Sequence, residues 1–397
     1  MQQRLHKLMK IALIQDEIYL PSFGGGTKAN RYLLEDLARS GHECVAFTRA
    51  LTRSSEGPGD LQQFSLEMVS RGASIQEVEP NVFSYEYEGV LVEASALEDP
   101  DEQHDYLVRR IRAMNPDWVF VTDDKRRIML RAAMNASPSR VILLLQTIVQ
   151  LPFGPLSVDK SPEYTELVRG ARAVVVISHF MKQYIRDYGE LESCLIPIPV
   201  YGSGPFPDLA RFDRGFVTMI NPCELKGVSI FSGLAGEFPD VEFAAVPTWG
   251  ANQELIERLR EQPNISILKP ANDIEEILGQ TRILLVPSLW PETFGYVVPE
   301  AMLRGIPVLA SDVGGLPEAK LGVDFILPVQ PGEFREEGFY TPPQELSPWK
   351  QALGSLLFDE EAYRECSQQS RQVAHEFVAD VSATRFEELM DQLSGRR

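Results

Sequence analysis

Residues 287–315, PSLWPETFGYVVPEAMLRGIPVLASDVGG, set the architecture of the second half of the chain. They begin at the end of an apolar run, RILLVPS, continue into a helical segment that Gly305 closes, and re-enter an apolar run, PVLASD. A short apolar strand, a helix and a second apolar strand form the βαβ unit of parallel sheets. Two glutamates, Glu292 and Glu300, have seven residues between them, including a Thr-Phe-Gly-Tyr segment, where the strand gives way to the helix.

The same pattern repeats outward from this segment. Further apolar runs in the second half are FVTMIN, EFAAVP, ISILKP and DFILPV, and those in the first half are KIALIQD, ECVAFTRA, WVFVTDD, VILLLQT, AVVVIS and CLIPIPV. Their apolar character is continuous and does not alternate, which is typical of parallel strands buried on both faces. Helical patterns separate many of these runs, so the sequence predicts an α/β protein with two successive doubly wound sheets.

A stretch rich in Pro and Gly, PIPVYGSGPFPDLARFDRGF, lies between the two sets of strands and has the composition of an interdomain linker. We therefore expect an N-terminal Rossmann-like domain over residues 1–205 and a C-terminal one over 206–379. A last helix, about 380–397, is expected to pack back on the first domain. Because open α/β sheets bind ligands outside the carboxyl ends of their strands, two such sheets are expected to face each other across a cleft.

Composition restricts the partners. The 397 residues are 44% hydrophobic and 24% charged, with a net charge of -19, which disfavours nucleic acid as the main partner. The four cysteines are far apart and match neither metal-ligand pairs nor a redox motif. The sequence has neither an apolar run of about 20 residues nor the features of a secretory signal, so we expect a cytoplasmic protein without a transmembrane segment. Peripheral membrane contact stays open.

Glu292 and Glu300 suit a ligand with hydroxyls at both ends. A carboxylate has two acceptor oxygens that match a vicinal diol, and a sugar nucleotide carries diols on its ribose and on its sugar, with a diphosphate between. Phe294, Gly295 and Tyr296 lie at the predicted helix N-terminus, where backbone N–H groups lack intrahelical partners. Lys226, in the loop after an earlier strand, is a candidate partner for the diphosphate. The alternative is structural: Glu292 would favour the helix dipole and Glu300 would be a surface acid.

A glycine-rich segment follows the first strand. Residues 24–29 read GxGxxA, the dinucleotide-binding fingerprint, but residues 17–23 intervene between strand and glycines, and the next strand ends in Arg49, which would fit only a phosphorylated ribose. An NADP-dependent reductase, a flexible loop that starts a helix, and a glycine loop that places Gly25 and Gly26 over a phosphate or an acceptor all remain open. The D-x-D sequence Asp99-Pro100-Asp101 is interpreted as a solvated helix entry and not as a metal site.

The segment PSLWPETFGYVVPEAMLRGIPVLASDVGGLPEA resembles the E-x7-E segment of retaining glycosyltransferases of the GT-B fold. GGGTKANRYLLEDLARSGHEC is similar to their amino-terminal glycine loop and helix, AVVVISHFMKQYI to their Val-Ser segment, and LKGVSIFSGLA to their Lys-Gly segment. The resemblance spans most of the chain in the expected order, and the E-x7-E segment with its Gly-Gly is the specific part. By this resemblance the chain is similar to glycosyl transferases group 1, of the family 4 type, and is expected to have the GT-B fold.

The resemblance implies a role for each motif. Glu292 would bind hydroxyls of the donor sugar, Glu300 the nucleotide ribose, and Lys226 the diphosphate leaving group. Backbone contacts to the donor, and contacts of the glycine loop, would come from Phe294, Gly295, Tyr296, Gly25 and Gly26. The Gly-Gly that follows would shape the turn next to the site.

Two positions depart from the family pattern. Asn221 stands where the family usually has an arginine, so we expect it at the donor site, and Gln146 and Thr147 stand where the family usually has a histidine. Basic residues that could substitute for the arginine are Lys28, Arg304 and Lys320.

The implied activity is metal-independent transfer of a hexosyl-type sugar, with retention, from a nucleotide-diphosphate sugar to a hydroxyl acceptor such as a polysaccharide, glycolipid or natural product. No cofactor is expected besides this co-substrate. The alternative is a non-catalytic sugar-nucleotide-binding subunit of the same fold. The sequence identifies neither the sugar, the base, the acceptor nor the oligomeric state.

Overall fold

The computed structural model describes residues 8–22, 24–52, 57–122, 126–271, 273–335 and 338–395. The contacts between these residues divide the chain into two units. The first unit comprises the described residues up to Gly202 together with those from Val381 onward, and the second comprises those from Ser203 to Asp380.

The first unit is built on a mostly parallel sheet. Its strands among the described residues are β1 Lys10–Ile18, β2 Glu43–Arg49, β3 Gln76–Glu79, β4 Val82–Tyr87, β5 Val90–Ser95, β6 Trp118–Thr122, β7 Val141–Leu145, β8 Ala173–Val176 and β9 Cys194–Leu195. They lie in the order β3-β4-β5-β2-β1-β6-β7-β8-β9, with parallel pairing from β5 to β9. Every residue of β6 and β7 is buried, so the prediction of parallel strands covered on both faces is confirmed here.

Strands β3, β4 and β5 were not predicted from the sequence. β3 and β4 pair antiparallel at one edge of the sheet, and β5 joins them to the parallel strands. β4, VFSYEY, buries Val82 and Tyr85 and exposes Glu86, so it lacks the continuous apolar run by which the other strands were recognised.

Helices cover the first sheet. They are α1 Gly25–Arg39, α2 Leu61–Ser70, α3 Pro100–Met114, α4 Met129–Ala136, α5 Pro162–Arg169 and α6 His179–Gly189. α3 begins at Asp99, whose carboxylate accepts hydrogen bonds from the N–H groups of Asp101 and Glu102 at 3.0 and 2.9 Å. The interpretation of this D-x-D sequence as a helix entry is therefore confirmed.

The second unit repeats the arrangement. Its main sheet, in the described part of the chain, contains β10 Phe216–Ile220, β11 Phe243–Val246, β12 Ile265–Ile267, β13 Thr281–Val286, β14 Val308–Ser311 and β15 Ile326–Leu327, in the order β12-β11-β10-β13-β14-β15. All the pairings are parallel. Its helices are α7 Val228–Glu237, α8 Gln253–Arg260, α9 Ile274–Leu278, α10 Val297–Met302, α11 Leu316–Ala319, α12 Ser347–Phe358 and α13 Glu360–Ala379. A small hairpin, β16 Glu333–Arg335 and β17 Gly338–Tyr340, pairs antiparallel.

The chain returns to the first unit at its carboxyl end. α14 Thr384–Leu393 places Phe386 against Phe120 of β6, with ring centroids 6.0 Å apart. Glu387 lies 3.0 Å from the Nε2 atom of the buried His42. Among the helices of the described residues, none combines the length and apolar character needed to cross a membrane.

Candidate functional site

The structure brings Lys226 and Glu292 together at the carboxyl edge of the second sheet. Lys226 ends a 3-10 turn, Glu224–Lys226, after β10, and Glu292 lies between β13 and α10. β10 and β13 are neighbours, so the loops that follow them meet. The Lys226 ammonium forms an ion pair with Oε1 of Glu292, and the hydroxyl of Ser288 donates to the same oxygen at 2.6 Å. Both charged side chains are partly exposed, Lys226 by 25% and Glu292 by 16%.

Backbone contacts fix the loop that carries Lys226. The carbonyl of Leu225 accepts hydrogen bonds from the N–H groups of Leu289 and Trp290 at 2.9 and 3.2 Å, which join the two loops directly. Gly227 has a φ of 78°, and a Cβ atom there would lie 1.9 Å from the carbonyl oxygen of Pro287. Only glycine fits this approach, which explains why the lysine is followed by glycine.

The Gly-Gly turn after β14 holds the backbone of Glu292. The N–H of Gly315 donates to the carbonyl oxygen of Glu292 at 2.7 Å. Gly314 has a φ of 62°, and a Cβ atom there would lie 2.4 Å from the same oxygen, while one on Gly315 would lie 2.5 Å from the carbonyl oxygen of Thr293. The prediction that Gly314 and Gly315 shape the turn next to this segment is confirmed.

Unbonded backbone donors lie two and three residues beyond Glu292. Tyr296 is the N-cap of α10, so the predicted helix start is confirmed. In the part of the chain that the structure describes, the N–H groups of Phe294 and Gly295 donate no hydrogen bond. The side chain of Phe294 is buried against Phe377, with ring centroids 5.9 Å apart, which anchors this backbone in the second unit. These two N–H groups can donate hydrogen bonds to an anionic group of a ligand.

Glu300 lies on α10 and is buried, with 8% exposure. Its N–H donates to the carbonyl of Tyr296 at 3.2 Å, and its carbonyl accepts from the Arg304 guanidinium at 2.9 Å. Glu300 and Glu292 both lie between β13 and β14. Because Glu300 is buried, the alternative that it is a surface acid is wrong.

Asn221, at the end of β10, shapes the neighbouring loop. Its backbone is left-handed, with a φ of 60°, and its Oδ1 accepts the N–H of Gly250 at 2.9 Å. Its Nδ2 is buried and has no hydrogen-bond partner among the described residues. Asn221 thus orders the loop after β11 and keeps one donor unused where the family pattern has an arginine.

The candidate substitutes for that arginine have structural contacts. Arg304 is buried and donates to Glu275 at 2.9 and 3.2 Å. Lys320 is fully buried and donates to the carbonyl of Val308 at 2.6 Å, and burial lowers its pKa to about 8. The Lys28 ammonium lies 5.8 Å from the centroid of the Tyr32 ring. We therefore assign neither Arg304 nor Lys320 to the site.

In the first unit, Gly25 and Gly26 lie in the first turn of α1, and Gly24 is its N-cap, with a φ of 84°. Beyond α1, Gln146 follows β7 and donates to Oδ1 of Asn30 on α1 at 2.5 Å. Asn30 in turn donates to Gln15 of β1 at 3.1 Å. The glutamine at the position of the expected histidine therefore ties the sheet to the glycine-led helix.

A second polar cluster occupies the same edge of the first sheet and was not recognised from the sequence. Arg126 forms an ion pair with the buried Asp16 at 2.8 Å, and both Arg126 and Arg49 donate to Oε1 of Gln103. The sequence signal that could have indicated this cluster was the polar residue at the end of each apolar run, as in IALIQD. Within the described ranges, no group of three or more His, Cys, Asp or Glu side chains could hold a metal ion.

Part of the chain matches a known protein family. Residues 228–359 match the model of the family Glycosyl transferases group 1. An exopolysaccharide phosphotransferase of Streptomyces coelicolor is 23% identical over 315 residues, which are 76% of this chain and 31% of that protein. The chain thus spans less than a third of the length of this relative.

Solved structures match the fold over almost the whole chain. Sucrose-phosphate synthase from Thermosynechococcus elongatus has a TM-score of 0.68 at 18% identity, over 97% of this chain and 98% of that chain. HepE of Anabaena in complex with UDP-glucose has a TM-score of 0.64 at 16% identity, over 98% and 99%. The chain therefore has the fold of GT-B glycosyltransferases, and its residues 228–359 match the glycosyl transferases group 1 family.

Proposed function

We propose that the chain is a retaining glycosyltransferase that moves a sugar from a nucleotide-diphosphate sugar to a hydroxyl acceptor. The observation that carries the proposal is the meeting of Lys226 and Glu292 beside the unbonded N–H groups of Phe294 and Gly295. The family match over residues 228–359 supports the same reading. The acceptor is a polysaccharide, glycolipid or natural product with a free hydroxyl.

The nucleotide-sugar donor binds to charged and hydrogen-bonding groups at this edge of the sheet. The diphosphate accepts hydrogen bonds from Lys226 and from the two amides, so cation and dipoles offset its charge. A lysine ammonium has three donors, and it can hold a phosphate oxygen while keeping contact with Glu292. Glu292, oriented by Ser288, accepts the hydroxyls of a hexosyl group. Glu300 holds the ribose, and Asn221 supports the donor site by ordering the loop after β11 through its hydrogen bond to Gly250.

Transfer with retention follows from departure and attack on one face of the sugar. The bond between the anomeric carbon and the diphosphate oxygen breaks, and its electron pair stays on that oxygen. The acceptor oxygen forms the new bond from the same face, and its proton passes to the departing phosphate oxygen. Lys226 and the amides stabilise the charge that develops there. Neither glutamate forms a covalent intermediate, and the scheme requires no metal or further cofactor.

Lys226→Ala and Glu292→Ala should each lower turnover about 100-fold or more, because each removes a group that contacts charge or hydroxyls of the reacting donor. Purified protein is screened against nucleotide sugars by thermal shift, and turnover of the best donor is followed by release of free nucleotide. The anomeric configuration of the product is read by NMR.

Lys350→Ala is the matched control, since Lys350 is an exposed lysine of the second unit paired with Glu237. It should retain full turnover. Unchanged turnover in both the Lys226→Ala and Glu292→Ala proteins would refute the mechanism. A product with inverted anomeric configuration would refute retention.

The non-catalytic subunit is the second candidate, motivated by Asn221 and Gln146 at the two departing positions. It is not favoured, because the lysine and glutamate of the site are both present and in contact. Saturable donor binding without release of nucleotide, in water or with any acceptor, would favour it.

A further inference from the structure

We propose that a groove between α7 and α8 of the second unit binds an uncharged saccharide, and that the bound saccharide acts on the donor site through the turn that carries Lys226. The lining of this α7–α8 groove comes from the turn at Glu224, the first turns of α7, one side of α8 with the residues after it, and residues 341–344. The action on the donor site rests on the proposed function. The binding of a saccharide does not, since it follows from the lining of the groove.

One part of the lining is apolar. Val228 of α7 and Leu255 and Leu259 of α8 are buried, and Pro342 and Pro343 line the groove as well. The groove has a volume of about 600 Å³, which is within the range of about 300–1,000 Å³ for small-molecule sites. A sugar ring carries C–H groups that can be removed from water against such side chains.

The rest of the lining offers polar groups with weak contacts. The Arg258 guanidinium lies 3.6 Å from Oε1 of Glu224, and the two side chains are 59% and 45% exposed. The hydroxyl of Thr341 donates to Oε2 of Glu224 at 3.4 Å. In the described part of the chain, the Arg258 side chain donates no hydrogen bond. A guanidinium donates and a carboxylate accepts several hydrogen bonds, so the pair can hold neighbouring hydroxyls of one ligand.

Gln262, at the end of the groove formed by the residues after α8, adds an unused acceptor. Its N–H donates to the carbonyl of Leu259 at 3.2 Å, and its carbonyl accepts the N–H of Ile265 at 3.1 Å, so its backbone is fixed. Its Oε1 atom is buried and has no hydrogen-bond partner among the residues that the structure describes. Buried polar atoms in folded proteins are almost always hydrogen-bonded, and a ligand hydroxyl would supply the donor that this oxygen lacks.

The charges of the lining select an uncharged ligand. Glu224 and Glu261 carry carboxylates and Arg258 carries a guanidinium, so the carboxylates outnumber the cation. The net charge of -19 on the chain adds to the repulsion of anions. A ligand with hydroxyls for the planar polar groups, C–H groups for the apolar side chains and no negative charge fits this lining, and an uncharged saccharide has all three properties.

The groove reaches the donor site through one short turn. Glu224 is the first residue of the 3-10 turn and Lys226 is its last. The N–H of Lys226 donates to the carbonyl of Cys223 at 3.0 Å, and the N–H of Gly227 donates to that of Glu224 at 3.1 Å, so the turn is one hydrogen-bonded unit. A saccharide that holds the Glu224 side chain restricts this unit, and a nucleotide then binds a lysine that has already lost part of its freedom.

Saccharide binding is measured by saturation-transfer NMR with glucose, mannose, galactose, N-acetylglucosamine, maltose and lactose, and with glucuronate as the anionic comparison. At least one uncharged probe should bind, and glucuronate should bind more weakly than that probe. Arg258→Gln and Gln262→Leu should each weaken binding about 5-fold or more, because each removes a hydrogen-bonding group of the lining.

Arg260→Gln is the matched control, since Arg260 is an exposed arginine on the same helix, and it should bind the saccharide as the parent protein does. The urea midpoint of each variant shows that the second unit is folded. Equal affinities of the parent, Arg258→Gln and Gln262→Leu proteins would place the saccharide elsewhere and overturn the proposal, and so would failure of every uncharged probe to bind.

The action on the donor site is measured by titrating UDP, ADP and GDP with and without the saccharide that binds. The nucleotide that binds should do so about 5-fold more tightly when the saccharide is present, and by reciprocity the saccharide should gain the same factor from the nucleotide. Lys226→Ala should keep the saccharide affinity and lose this coupling. Equal nucleotide affinities with and without the saccharide would overturn the action on the donor site.

The two proposals fail in different ways. If none of the three nucleotides binds and no nucleotide sugar is turned over, the proposed function is refuted, and the coupling is refuted with it. The saccharide site would still be decided by the NMR titrations of the parent, Arg258→Gln and Gln262→Leu proteins.

Discussion

Glu292 owes its position to a glycine that stands far from it in sequence. Gly314 has a left-handed backbone, and a side chain there would collide with the carbonyl oxygen and the nitrogen of Glu292, at 2.4 and 2.6 Å. Gly314→Ala should therefore displace Glu292 and lower turnover at least about 10-fold, besides the cost of about 1–2 kcal/mol for a Cβ atom in this region. Turnover and the urea midpoint are measured on the same preparation.

Gly322→Ala separates the effect of backbone strain from the effect of a steric clash with Glu292. Gly322 is also left-handed, with a φ of 80°, but a Cβ atom there meets no atom within 4 Å. It should lose a similar amount of stability and retain turnover. Equal turnover of the two variants would contradict the role that we assign to the Gly-Gly turn.

Local sequence was enough to single out residues that meet at one edge of the second sheet. Lys226, Glu292 and the Gly-Gly belong to short motifs that can be recognised from the spacing of residues in the sequence. The structure places all of them at one edge of a sheet. Ser288 and Asn221 illustrate what was missing, since the hydroxyl of Ser288 matters through its contact with Glu292 and the amide of Asn221 through its contact with Gly250. Such contacts join separate loops, and no spacing rule in a single sequence predicts them.

α1, the helix that follows the glycine segment, contains a buried acid. Glu35 is 4% exposed, and burial raises its pKa from 4.5 to about 7, although the nearby Arg31 acts in the opposite direction. Because the folded pKa lies above the unfolded one, the folded state binds the proton more tightly, and this stabilisation is lost as the pH rises from 4.5 through about 7. A glutamine side chain does not titrate, so the Glu35→Gln protein lacks this pH-dependent contribution to stability.

The first unit of the Glu35→Gln protein should therefore gain stability relative to the parent as the pH rises from about 4 to about 8, by about 3 kcal/mol, and the difference should be constant above that range. Urea unfolding at a series of pH values measures it. Glu163→Gln, an exposed acid of the same unit, is the control and should follow the parent. A difference that does not vary with pH would show that Glu35 is ionised in the fold to the same extent as in the unfolded chain.

Elements were predictable where both faces of a strand are covered. β6 and β7 read as continuous apolar runs because every side chain is buried, whereas β3, at the sheet edge, buries no residue and β4, next to it, buries only Val82 and Tyr85. The second polar cluster, formed by Arg49, Gln103, Arg126 and Asp16, was missed for a related reason. Arg49 ends β2, while Gln103 and Arg126 come after β5 and β6, and only the order of those strands in the sheet brings the three residues together.

The last helix, α14, packs on the first unit, so we expect its contacts to stabilise the first unit and not the second. α14 buries Phe386 against Phe120, and Glu387 meets His42, whose Nδ1 accepts the N–H of Met9 at 3.1 Å. The proton of this imidazole is therefore on Nε2, where it is donated to Glu387. A hydrophobic contact and a buried hydrogen bond thus hold the last helix on a sheet whose last strand in the chain ends at Leu195.

Phe386→Ala removes a fully buried aromatic ring and should cost the first unit about 3–5 kcal/mol of unfolding free energy. Hydrogen exchange read by mass spectrometry should show loss of protection in α14 and β6, with protection of β10 and β13 in the second unit retained, because the contacts of Phe386 belong to the first unit. Phe358→Ala is the matched control, since Phe358 is 72% exposed and its loss should leave both sheets protected. Equal loss of protection in β6 and β10 after Phe386→Ala would mean that the two units unfold as one cooperative body, and the division of the chain at Gly202 and Asp380 would then describe contacts but not stability.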